Sequence, residues 1–110
     1  MNIYHVWCNL KESKRDLEFV ENLRAYMEHL VKMGQMSSWR LTRRKLGFGP
    51  AELGEFHITM EFKSLHELED AFGDIAKRSG EVEELHRKVF MMVTDFRSGL
   101  TRDFPDPGRT

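Results

Sequence analysis

The apolar positions of this chain change period along its length, and the changes mark out its elements. Residues 2–9, NIYHVWCN, are rich in β-branched and aromatic side chains and predict a strand. From residue 11 the spacing becomes helical. Phe19, Leu23, Tyr26, Leu30 and Met33 form one stripe, widened by Val20, Met27 and Val31. Ser13 is the expected N-cap, Asp16 and Glu18 suit the positive end of the helix dipole, and Gly34 is the expected stop.

Residues 36–46, MSSWRLTRRKL, predict a second strand around Trp39, Leu41 and Thr42. Beyond a glycine-bearing loop, residues 55–62 alternate with a period of two. Phe56, Ile58, Met60 and Phe62 share one face; His57, Thr59 and Glu61 share the other. Residues 64–80 predict a helix opened by a Ser64/Glu67 capping box, with Leu65, Leu68, Phe72, Ile75 and Ala76 as its apolar stripe. Gly80 breaks the pattern, and Val82, Leu85, Val89 and Met92 resume it. A last strand is expected near Phe96, and the turn-rich PDPGRT ending predicts a flexible tail over 105–110.

The order strand, helix, strand, strand, broken helix, strand predicts an α+β ferredoxin-like sandwich over residues 1–104. Its four-stranded antiparallel sheet would carry the helices on one face. At 110 residues the chain is expected to be one domain. A charged fraction of 32% beside a hydrophobic fraction of 40% fits a small monomer and equally a protomer that shares part of its core with a partner.

Net charge of −1 argues against nucleic-acid binding. No apolar run reaches the roughly 18 residues of a membrane span, and no secretory leader is visible. The single cysteine, Cys8, forms no internal disulfide, so a cytoplasmic setting is expected.

Helices on one side leave the other face of the sheet for water, a ligand or a partner. The first strand can be oriented two ways. The preferred one turns Tyr4, Val6 and Cys8 to the helices and puts Ile3, His5, Trp7 and Asn9 beside His57 and Thr59 on the open face. In the last strand Asp95 and Arg97 lie opposite Phe96, Ser98 and Leu100. The resulting face is semi-polar, with a tryptophan among histidines, as in contact surfaces and clefts.

Element order, length and this open face resemble the dimeric α/β-barrel superfamily. That group includes antibiotic-biosynthesis-type monooxygenases, muconolactone-isomerase-like proteins and stress-responsive A/B-barrel domains. The runs TRRKLGFGPAELGEFHI and TDFRSGLTRDFPD are also similar to a small bacterial family without an assigned function. The resemblance implies a homodimer with paired open faces and a cleft between sheet and helices or inside the barrel. It carries no catalytic motif.

His5 and His57 are the candidate catalytic bases, because imidazole titrates near neutrality; each can equally be a hydrogen-bonded structural residue. Trp7, Asn9, Thr59, Asp95 and Arg97 are candidate ligand contacts, with Trp7 as readily an interface residue. Arg40 and Arg44 are expected to share a face, where Arg44 would bind an anion; the bland alternative is that these charges protect an edge strand. No HxH or HxxxH spacing supports a metal, and no cofactor is expected. Cys8 reads as a small core residue, the methionines as core filler, and His29, His66 and His86 as solvated helix residues.

The glycine loop does not read as a phosphate site. Gly47, Gly49 and Gly54 miss the GxGxxG spacing, and the loop leads into a strand rather than a helix. KLGFG superficially resembles an RNA-recognition motif, but RNA stacking needs aromatics on the open face, and Phe56 and Phe62 fall on the core face. The expectation is therefore a homodimeric module that binds a small anionic or aromatic molecule or serves in stress responses. The alternative is a cofactor-independent oxygenase or isomerase acting in an open-face cleft.

Overall fold

The computed structural model describes residues 1–76 and 80–105, with backbone alone at Ile75 and Ala76. The expected tail therefore lies outside the described residues beyond Pro105, as does the chain just before Gly80. The elements are β1 (Asn2–Leu10), α1 (Asp16–Lys32), β2 (Ser38–Arg43), β3 (Phe56–Phe62), α2 (Leu65–Ala76), α3 (Gly80–Phe90) and β4 (Val93–Arg102). The strands form one antiparallel sheet in the order β2-β3-β1-β4.

Local chemistry sets several boundaries. α1 does not start at Ser13; a 3-10 turn over Ser13–Arg15 precedes it, and the Asp16 carboxylate accepts from the Leu17 amide at 2.9 Å. At its end Gly34 takes a φ of 73°, which lets the Gln35 amide bond Leu30 and the Gly34 amide bond Val31. Those two bonds are the Schellman closure that satisfies the last helical carbonyls. At α2 the Glu67 amide donates to Ser64 Oγ, while the Glu67 carboxylate reaches back to the Lys63 amide rather than to that of Ser64.

The core lies between the sheet and the helices. β3 buries Phe56, Ile58, Met60 and Phe62, and β1 buries Val6, Cys8 and Leu10 against Phe19, Leu23, Met27 and Leu30 of α1. Fully burying a side chain the size of Phe19 or Leu23 stabilises the fold by about 1.5–3 kcal/mol. On α2 Ala71 is buried, whereas Leu65 and Phe72 of the expected stripe remain exposed. β4 is the least covered strand. Its inward Phe96 and Leu100 are 44% and 51% exposed, because the helices pack over the other strands.

One contact fixes the entry to β3. Gly54 is buried against β1, and a Cβ placed there would sit 2.3 Å from the Cys8 carbonyl carbon and oxygen. Only glycine allows that approach.

Candidate functional site

Pairing of β1 with β3 and β4 turns Tyr4, Val6 and Cys8 to the helices and His5, Trp7 and Asn9 to the open face. Trp7 stands directly opposite His57 on one side and Arg97 on the other. The Trp7 and His57 rings stack at 4.6 Å with an 11° interplanar angle, and Trp7 lies nearly parallel to His5 at 5.4 Å. His5 Nδ1 is 3.0 Å from His57 Nε2, and His5 Nε2 is 2.8 Å from Thr101 Oγ1. Partial burial, and secondarily the neighbouring His5, hold His57 below the usual histidine pKa, favouring a neutral imidazole. Thr59 faces His5 across one pairing and Arg40 across the other.

Other candidates have structural duties. Asn9 Oδ1 accepts from the Glu55 amide at 2.9 Å, and its Nδ2 donates to Asp95 Oδ2 at 3.1 Å. It thereby ties the start of β3 to the β4 irregularity, where Asp95 has a φ of 57°. Arg97 donates to the Phe96 carbonyl. Arg44 does not share a face with Arg40. It lies past the end of β2, and its guanidinium donates to the carbonyls of Pro50, Leu53 and Gly54. Arg44 thereby clasps its own loop.

An apolar cavity lies on the other side of the sheet. It is half open to solvent and holds about 320 Å3 between the sheet and the three helices. Its walls are apolar and aromatic, with Tyr4, Val6 and Cys8 from β1, Tyr26 from α1, Phe72 from α2 and His86 from α3 among them. Among the described residues no Asp, Glu, Lys or Arg lines it. Tyr4 packs edge-on to Phe72 at 5.0 Å; Tyr26 meets His86 edge-on at 5.8 Å, and His86 stacks on Phe90 at 5.6 Å. Burial pushes the Tyr26 phenol above its ordinary pKa, with a smaller push from Tyr4, and pushes the Cys8 thiol up to about 11. His86 is held low by burial, which outweighs the opposing pull of Glu83. Tyr26, Cys8 and His86 are therefore uncharged near neutrality.

His86 corrects the expectation of a solvated helix residue: it is half-buried in this wall. The signal was present, since His86 falls four residues after Val82 and three before Val89, within the apolar stripe. Tyr26 was read only as core. Among the described residues no group of three or more metal-ligating side chains converges, and no helix is long and apolar enough to cross a membrane.

The fold and the cavity define a small α+β domain with a half-open apolar chamber. Residues 1–110 match the model of a family of unknown function, DUF6614, and the chain belongs to that family. No curated protein matches it. Among solved structures it is similar to a conserved protein from Methanosarcina mazei Go1. The TM-score is 0.63 at 16% identity, over 93% of this chain and 92% of that one. That likeness extends to the fold.

Proposed function

We propose that this chain is a ferredoxin-like protomer of a homodimeric α/β barrel and binds a small, largely apolar molecule between its sheet and helices. The cavity is the observation that carries this reading. Its volume falls at the lower end of the roughly 300–1,000 Å3 typical of small-molecule sites. Of the two ligand chemistries the sequence suggests, the lining favours the aromatic one. An anion would meet no cationic side chain among the described lining residues. The dimer reading is supported by the stacked Trp7, His5 and His57 on the open face and by the poorly covered β4. A fluorescence titration with naphthalene tests the reading: saturable one-to-one binding supports it, and no binding up to the solubility limit refutes it.

The 3.0 Å His5–His57 pair favours a second reading, in which a neutral His57 removes a proton from a carbon acid held against the open face. His57→Gln would abolish such turnover and leave naphthalene binding intact. Equal turnover in His57→Gln would eliminate this alternative.

A further inference from the structure

Tyr26 is 7% exposed and lines the cavity, and its hydroxyl has no hydrogen-bond partner among the described residues. The residue is buried while the hydroxyl oxygen itself keeps accessible surface, so the oxygen is open to an incoming polar group that would pair it. The surrounding rings suit a flat guest. Tyr4 and Phe72 meet edge-to-face, as do Tyr26 and His86, leaving faces and edges for the offset contacts that aromatic ligands prefer.

We infer that the ligand is a neutral ring compound bearing a hydroxyl or carbonyl group, seated so that this group hydrogen-bonds to Tyr26. The inference rests on the reading of the cavity as a binding site. It adds a chemical class and a residue that selects it. The phenol stays protonated, so it offers both a donor and an acceptor. A hydroxyl on the guest uses either, and a carbonyl uses the donor. A carboxylate guest is disfavoured because none of the described lining side chains carries a compensating positive charge.

The test is a fluorescence titration of the full chain with naphthalene, naphthol and naphthoate at neutral pH. Naphthol is expected to bind about fivefold more tightly than naphthalene, the factor supplied by one neutral hydrogen bond. Naphthoate is expected to be the weakest. Tyr26→Phe is expected to erase the naphthol advantage, so that the variant binds naphthol and naphthalene equally. Equal affinity of naphthol and naphthalene, tightest binding by naphthoate, or a naphthol advantage that survives Tyr26→Phe would each overturn the inference while the cavity reading stands. Failure of all three probes to bind would refute the cavity reading and the inference with it. The three-probe comparison on the native chain decides the question even where the Tyr26 variant fails to fold.

Discussion

His5 and His57 share a hydrogen bond of 3.0 Å between Nδ1 and Nε2, so the open face holds two imidazoles that cannot both charge cheaply. Burial and this neighbour lower the His57 pKa in the fold. The native state then binds fewer protons than the unfolded chain between that lowered pKa and the ordinary value of about 6.5. Stability is full above that window and falls as the pH drops through it. Burial lowers His86 in the same direction. Urea midpoints are therefore expected to drop between about pH 7.5 and about pH 5.5. The drop should be smaller in His57→Gln; an unchanged pH slope in that variant contradicts this assignment.

Gly54 lies so close to the Cys8 backbone that any side chain must push β1 and the start of β3 apart. Gly54→Ala is expected to cost about 2 kcal/mol or more, beyond a simple change in chain entropy. Denaturant unfolding of the two proteins measures it, and a loss below about 0.5 kcal/mol contradicts the close approach.

Much of the architecture was legible because patterns of period two and period 3.6 are strong and local. The alternation from Phe56 to Phe62 gave β3 and its buried face, and the need to keep His57 off the core placed His5 beside it. The cavity was not legible, because its volume depends on how α2 and α3 meet over the sheet, and no local pattern encodes that. Arg44 was misplaced for a related reason. β2 ends one residue earlier, at Arg43, so face counting stops before Arg44 and loop geometry takes over. Asn9 carries chemistry suited to a ligand, yet its amide is spent joining β3 to β4.

Arg44 holds three carbonyls of its own loop, so Arg44→Ala is expected to loosen that loop without emptying the cavity. Limited proteolysis should cut the variant faster within residues 45–53, with naphthalene affinity unchanged. Loss of ligand binding with an intact loop would instead restore Arg44 as a ligand contact.

Trp7 presents a broad ring on the face proposed to pair in the dimer. Light scattering at micromolar concentration is expected to report a dimer for the native chain and a monomer for Trp7→Asp, because burying an unpaired carboxylate opposes association. A native monomer contradicts the open-face dimer.

The central claim, that the chamber between sheet and helices is a binding site, is tested most directly at Ala71. This residue is 1% exposed and lines the cavity from α2. Ala71→Leu grows a side chain into existing space, so the account predicts about 1 kcal/mol of added stability from the extra buried carbons. The same variant should weaken naphthalene binding by about tenfold or more, the effect of losing about 1.4 kcal/mol of contact. The measurement is a naphthalene titration of native protein and Ala71→Leu, paired with their denaturant unfolding curves. A destabilised Ala71→Leu that binds naphthalene as well as the native chain would contradict the account.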